Sequence, residues 1–527
     1  EDAKNVKNEP PTLDAGDPLT VARNVSTRYL AIGVEAALGV LLLPFNVAHL
    51  GQAAYGLWML TASVTAYFSV LDLGYSGALV KFVAEYRARR DARSLNEVLS
   101  TAFAVFTGFG ILTYLVAIGV AMNLGRLFQL TADQVAVGQT VLLIVTANVA
   151  VGMAFSVFGS VINGFQRYDL NNVVGTFGAL ANAVVNVLAL SLGAGLVGLV
   201  AATTAVRLLT YVVYRANAYH VFRDLHIRPS YCRVSRLKEL TRFSVYMSII
   251  DWANKLNYSF DAIVIGAFLN TSAVAVWAVG ERVAQMTQRL SNQLNEVLFP
   301  TVVACDTHSL TGRLQTIFIQ GTRLSLATVI AMAGPLALMA GPLIHAWVGP
   351  EFAASALVLQ LLAACVVIRV GNATANTILK GAGRHRLVAA TNLTAAVGNV
   401  ALSIAMVIPL GLAGVALGTL VPILLAAMLV VFPAACRRVE LPIGHAVLAA
   451  VWPAVWPATF MVLFLIATRS LVGDSLIAVG VEVAMAALVY VAAFVFLGLS
   501  ADERRFYLSK AGALAARWRL QPASETV

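Results

Sequence analysis

The chain has 527 residues, 59% of them hydrophobic and only 12% charged, with a mean hydropathy of +0.80. A soluble domain of this size needs more charged surface than the sequence holds, so the composition excludes water-soluble classes in favour of a polytopic membrane protein. The formal net charge of +10 would suit nucleic acid, but the basic residues are spread between apolar stretches rather than gathered in a patch, which argues against that partner.

Residues 1–22 are polar and proline-bearing; they read as a disordered cytoplasmic tail without a cleavable signal, leaving the first apolar span to target the chain. Apolar periods then predict helices near 26–48, 56–79, 98–122, 137–161, 173–192, 196–217, 244–268, 273–300, 324–345, 355–379, 388–409, 412–434, 446–468 and 475–499. The first begins at Arg28 and carries Glu35 on the same face, seven residues on. The second ends in L-D-L-G-Y-S-G, where Asp72, Gly74 and Gly77 mark a terminated or bent inner end. The run 81–90, K-F-V-A-E-Y-R-A-R-R, reads equally as a basic amphipathic helix on the inner membrane surface and as a solvated loop. Asn182 and Asn186 share one face of the fifth helix, and Glu482 in the fourteenth reads as interfacial.

Assigning the connections alternately to two sides puts 28 of the 36 basic residues on one side and only Arg126 and Arg469 on the other. Positive residues stay cytoplasmic, so both termini are expected inside. The four cysteines carry no metal-site spacing and suggest no disulfide.

The second half repeats the first. G-F-Q-R-Y-D-L at 164–170 matches G-A-G-R-H-R-L at 381–387 at an offset of 217; Gly193 matches Gly411 at 218, and Trp58 matches Trp277 at 219. The expected architecture is all-α and membrane-embedded, with about fourteen transmembrane helices. It has an N-lobe of helices one to six (23–218), a basic linker (219–243) and a C-lobe of helices seven to twelve (244–436). Helices thirteen and fourteen (437–500) and a basic cytoplasmic tail (501–527) follow. Six helices separate equivalent positions, so the lobes relate by an axis along the membrane normal.

Charges inside the seventh and eighth spans single out a site. Each costs about 2.5–3.5 kcal/mol at mid-bilayer even on insertion scales, so such groups belong against a wet or protein-lined interior. Asp251, Asn254, Lys255, Tyr258 and Asp261 fall on one helical face; so do Glu281 and Arg282, Gln285, Gln288 and Arg289, Asn292, and Asn295 and Glu296. Arg369 continues the pattern with Asn372 and Asn376. Arginine-rich polar stripes on a duplicated bundle point to alternating access and a phosphate-bearing cargo. The same residues also fit internal neutralisation: Asp251 with Lys255, Glu281 with Arg282, Arg289 with Glu296. Arg207 reads equally as a snorkelling residue. No P-loop, H-E-x-x-H, paired cysteine ligands or G-x-S-x-G appears, so neither an enzyme nor a cofactor is expected.

Y-G-L-W (55–58), L-D-L-G (71–74), F-V-A-E-Y (82–86), G-F-Q-R-Y-D (164–169), W-V-G-P-E-F (347–352) and G-A-G-R-H-R (381–386) resemble the Wzx-type polysaccharide and O-antigen flippases of the multidrug/oligosaccharidyl-lipid/polysaccharide exporter superfamily. The resemblance implies a two-lobe fold in the bacterial inner membrane. Its cargo would be an undecaprenyl-diphosphate-linked oligosaccharide, and membrane lipid, a polymerase and other glycan-assembly proteins would be its partners. Arg23 and Arg28 match the family's arginines on helix one, and Lys255, Arg282 and Arg289 its cationic cavity positions. The substrate candidates are therefore Arg28, Glu35, Lys255, Arg282, Arg289 and Arg369; Asp251, Asp261 and Glu281 are candidates for a coupling ion. The extra helix pair is similar to that of the lipid II flippase branch, where it builds a groove for the lipid tail. A lipid II flippase and a cation-coupled multidrug exporter are the alternatives.

Overall fold

The computed structural model describes residues 18–68, 75–241, 260–291, 293–308, 310–471, 473–505 and 509. Their regular structure is helical, because in a bilayer a helix satisfies its own backbone N–H and C=O groups where no water can. Among the described residues, ten helices are long and apolar enough to cross a membrane. Two of them are too long for one crossing. Leu30–Phe68 and His385–Arg438 run 39 and 54 residues, about 58 and 81 Å against a hydrocarbon core of about 30 Å. Gly51 (φ 76°) and Gly411 (φ 58°) interrupt them, in a backbone region that suits glycine. Most of the expected seventh span lies outside the described residues. The first part of the eighth, Thr271–Ser291, carries Glu281, Arg282 and Arg289 and is too polar to join the ten.

The described residues form two compact units. The first takes residues 18–51, 64–68, 75–124 and 132–241. It contains most of α1 (Pro18–Phe68), α2 (Tyr75–Ala88), α3 (Ala92–Met122), α4 (Ala132–Gly164), α5 (Tyr168–Ser191) and α6 (Gly195–Val221). Helix α4 packs on α2, α3 and α6 around Leu79, Phe82, Val98, Phe106, Val157 and Phe158. The 81–90 run is indeed amphipathic, but Leu79, Phe82, Val83 and Tyr86 pack on protein rather than on lipid. Its helical period finds a partner in α3 and α4, which the local pattern does not specify.

The basic linker is strapped to the start of α3. Asp91 caps that helix by accepting from Ser94 N–H at 2.9 Å, and the Ser94 hydroxyl and N–H hold its carboxyl below the ordinary range. One turn on, the buried Asn96 amide donates to Asp224 O at 2.8 Å and accepts from His226 N–H at 2.8 Å. Ser100 Oγ accepts from Arg228 N–H at 3.1 Å and Thr101 Oγ1 from Arg233 N–H at 3.0 Å. An extended strap thus satisfies its backbone on side chains instead of a ladder.

The second unit takes residues 52–63, 125–131 and the described residues from 260 onward. It contains α7 (Thr271–Ser291), α8 (Gln293–Thr307), α9 (Thr311–Leu338), α10 (Ser355–Gly371), α11 (Ala373–Gly381), α12 (His385–Leu425), α13 (Phe432–Arg438), α14 (Ala458–Thr468) and α15 (Leu476–Ala493). At its end Arg323 donates to both oxygens of Glu503 at 2.9 and 2.7 Å and to Ala449 O, a carbonyl in a π-helical turn, Val447–Val451. Glu482 is 3% exposed, accepts from Thr468 Oγ1 at 2.9 Å and faces Arg469. Packing of α15 on α14 buries it.

The turns repeat with the sequence. Phe165, Gln166 and Arg167 donate their N–H groups to Val161, Asn163 and Ile162; Ala382, Gly383 and Arg384 donate theirs to Ile378, Lys380 and Leu379, each pair 217 residues on. Gln166 (φ 61°) and Gly383 (φ 72°) are both left-handed, as are Gly193 (φ 73°) and Gly411 (φ 58°).

Candidate functional site

The break at Gly411 builds the site. It folds the two limbs of α12 against each other, and Gly414 and Gly418 are the small residues that let them touch. A Cβ at Gly418 would stand 2.6 Å from Ser403 N. Asn399 and Ser403 on the first limb therefore meet Val415 and Thr419 on the second. Ser403 Oγ donates toward Asn399 Oδ1 at 2.9 Å and Val415 O at 3.3 Å. Thr419 Oγ1 has Val415 O at 3.2 Å, Asn399 Oδ1 at 3.3 Å and Asp261 Oδ2 at 3.1 Å before it.

Asp261 stands on the helical stretch 260–268 and is 3% exposed. Its other oxygen, Oδ1, has no hydrogen-bond partner among the described residues. The Ser403 and Thr419 hydroxyls and the Asn399 Nδ2 amide group are the donors that face the two Asp261 oxygens, the Asn399 carbonyl and Val415 O. Asp261 Oδ1 is the acceptor left over among the described residues, a place that a proton or a small cation could take.

Two further helices complete the cavity. Gly280 lets α7 approach α10, where a Cβ would meet Ser355 O at 2.9 Å, and Ser355 Oγ donates to Val276 O at 2.6 Å. That contact brings Glu281, the next residue of α7, beside Arg369 in the last turn of α10. Glu281 accepts from Gln285 Nε2 at 2.9 Å. Asp261, Glu281, Gln285, Gln288, Arg369 and Thr419 line a cavity of about 30 Å³. That holds a water-sized guest or two and no sugar or diphosphate. Its two carboxylates meet one guanidinium, and burying charge without compensation costs several kcal/mol per ion. Among the described residues the lining carries two carboxyl groups and one guanidinium, a balance that a proton on one carboxyl closes as well as a bound cation would.

Of the candidates named from sequence, the fold gathers Asp261, Glu281 and Arg369. Arg282 is half-buried on α7 and Arg289 exposed at its end, and neither lines this cavity. Arg28 and Glu35 are exposed on α1 in the first unit. Asp251, Lys255 and Asp72 lie outside the described residues, as does the side chain of Glu296. Asn399, Ser403 and Thr419 escaped the sequence reading. The repeat held a signal for two of them, since Asn182 and Asn186, already seen sharing a face, precede Asn399 and Ser403 by 217 residues.

Comparison with known proteins assigns the family. The model for "Polysaccharide biosynthesis protein" matches residues 21–305, more than half of the chain. The chain belongs to the polysaccharide biosynthesis protein family. It is a multi-pass membrane protein of a transporter family, not an enzyme. The probable flippase AglR of Haloferax volcanii is 23% identical over 78% of this chain and 83% of its own length. The membrane protein EpsK of Bacillus subtilis is 23% identical over 76% of this chain and 80% of its own. The fold is shared with the lipid II flippase MurJ in an inward closed conformation, at a TM-score of 0.70 and 12% identity over 89% of this chain and 97% of that one. It is shared as well with an inward-facing multidrug-resistance transporter of the MATE family, at a TM-score of 0.64 and 15% identity over 81% and 96%.

Proposed function

We propose that this polysaccharide-biosynthesis protein turns an undecaprenyl-diphosphate-linked oligosaccharide from the inner to the outer leaflet of the bacterial inner membrane, by alternating access. Fourteen helices would make two six-helix lobes, 23–218 and 244–436, with helices thirteen and fourteen (437–500) appended and both termini cytoplasmic. Arg28, Lys255, Arg282 and Arg289 are the cationic candidates for the diphosphate and Glu35 a further substrate candidate, whereas Arg369 lines the smaller cavity.

The observation that carries coupling is the cavity at Asp261, Glu281 and Arg369, too small for the cargo and with Asp261 Oδ1 unpartnered among the described residues. Its residues fit a proton or a monovalent cation: the Asp261 carboxyl, the Asn399 carbonyl and the Thr419 hydroxyl are the oxygens that would hold it. Asp251, outside the described residues, is the further coupling candidate.

The test uses purified protein in proteoliposomes under a sodium gradient. Expected is inward-to-outward movement of a fluorescent polyprenyl-diphosphate oligosaccharide, read by an impermeant quencher. D261N removes its dependence on sodium. In cells, R282Q and R289Q abolish surface glycan while protein level holds. Movement of cationic dyes without the lipid-linked sugar would establish a multidrug exporter, and movement of lipid II alone the third reading.

A further inference from the structure

We propose that Arg207, on α6 of the first unit, is a positioning residue that holds the cargo's diphosphate midway across the membrane, rather than a snorkelling side chain. This rests on the flippase reading and adds to it a residue that the candidate set leaves out.

Depth comes first. Helix α6 runs from Gly195 to Val221, which puts Arg207 about 18 Å along the axis from one end and about 21 Å from the other. Against a hydrocarbon core of about 30 Å, that is near the middle, whereas snorkelling serves residues close to helix ends. A guanidinium stays charged at any physiological pH, so Arg207 needs water or an anion at that depth. The helical face it occupies comes second. Leu199 and Val200 on that face are buried and Thr203 and Thr210 half-buried, whereas Leu209, Val212 and Val213 point the opposite way and are exposed. Arg207 lies in the middle of the protein-packed face and is nonetheless exposed. The first unit therefore leaves an opening beside it, on the side turned away from the apolar surface that suits acyl chains.

The neighbouring helix supplies the third observation. Helix α5 packs on this face of α6: a Cβ at Gly178 would stand 3.1 Å from Thr210 Oγ1, and one at Gly175 would stand 3.6 Å from the Tyr214 hydroxyl. One turn on from Gly178 in α5 is Asn182, and one turn back from Thr210 in α6 is Arg207, so helical spacing carries both along the same seam. Asn182 donates from Nδ2 to Gly178 O at 3.0 Å, and its Oδ1 has no hydrogen-bond partner among the described residues. The Thr203 and Thr210 hydroxyls turn back on their own helix, to Leu199 O at 2.8 Å and Val206 O at 2.9 Å. These seam neighbours are neutral amides, hydroxyls and a phenol, which can face sugar hydroxyls. The guanidinium among them offers the planar fork that pairs two oxygens of a phosphate at once.

The measurement is equilibrium binding of a fluorescent polyprenyl-diphosphate oligosaccharide to the full chain in nanodiscs, with thermal unfolding of each variant as the folding control. R207Q is expected to bind about tenfold more weakly or worse, the scale of one charge-assisted hydrogen bond. R207K should fall between R207Q and wild type, because an ammonium cannot make the paired contact. R215Q removes a charge near the inner end of the same helix and should bind as wild type does. A second readout is independent of affinity: R207C should react with a membrane-impermeant thiol reagent and be protected by the cargo, while L209C on the opposite face stays unreactive. Wild-type affinity in folded R207Q, or an R207C that the cargo does not protect, overturns the proposal and leaves the flippase reading standing. An effect of R207Q seen in phosphatidylglycerol nanodiscs and absent in phosphatidylcholine nanodiscs assigns Arg207 to a lipid headgroup and overturns it likewise. Absence of saturable binding in wild type overturns both readings.

Discussion

Alanine at Gly418 tests whether the limbs of α12 must touch for the cavity to exist. The Cβ of G418A would stand 2.6 Å from Ser403 N, where ordinary contact begins at 3.4 Å, so about 0.8 Å must be found. The obstacle is backbone, which no side-chain rotamer can relieve. Overpacking of this kind costs about 1–3 kcal/mol, and separation by about 0.8 Å would carry the 3.3 Å Thr419–Asn399 contact beyond hydrogen-bond range. G398A is the matched control, since its Cβ would meet only Pro422 side-chain atoms, at 3.3 Å. Thermal unfolding of purified protein and sodium binding in nanodiscs are read together. G418A is expected to unfold at lower temperature and bind sodium at least tenfold more weakly, with G398A near wild type in both. A G418A protein that matches G398A in both measurements would refute the claim that close limb contact assembles the site.

Elsewhere, N96A leaves Asp224 O and His226 N–H without their partner. At about 1–3 kcal/mol per stranded group, amide hydrogen exchange over 222–233 should rise at least tenfold, and equal protection would count against the strap. Glu503 gives a pH signature. Burial pushes its carboxyl up, but Ser500 N–H and Arg323 outweigh this and hold it below its ordinary 4.5. A depressed folded value means stabilisation that is present in full above 4.5 and lost as pH falls through the folded value. Opening of the 500–505 end, followed by proteolysis, should therefore increase below about pH 4.5 in wild type and be insensitive there in E503Q. A wild-type end equally protected at pH 3 and 7 would contradict the Arg323–Glu503 clamp.

Much of the fold was legible because hydropathy is a property of neighbouring residues. The apolar runs on either side of Gly51 and Gly411, and the turn signatures at 164–168 and 381–385, required no knowledge of what packs on what. The polar period of α7 was legible for the same reason. Burial was harder. That α14 covers Glu482 could not be read from its place near a helix end. The 81–90 run carried a correct amphipathic period and the wrong partner, since a helical face says what it avoids and not which surface receives it.

The sequence by itself determined an all-helical membrane chain, its turn chemistry, its family motifs and the acidic and basic residues that a lipid-facing helix could not carry. Tertiary structure alone decided which of these meet. Asp261, Glu281 and Arg369 come from three helices, and Asn399 and Thr419 join them only because α12 breaks at Gly411 and closes on Gly418. The physical reason is range: propensity and hydropathy act within a few residues, whereas a cavity's charge balance is fixed by atoms as far as 158 positions apart in the chain, as Asp261 and Thr419 are.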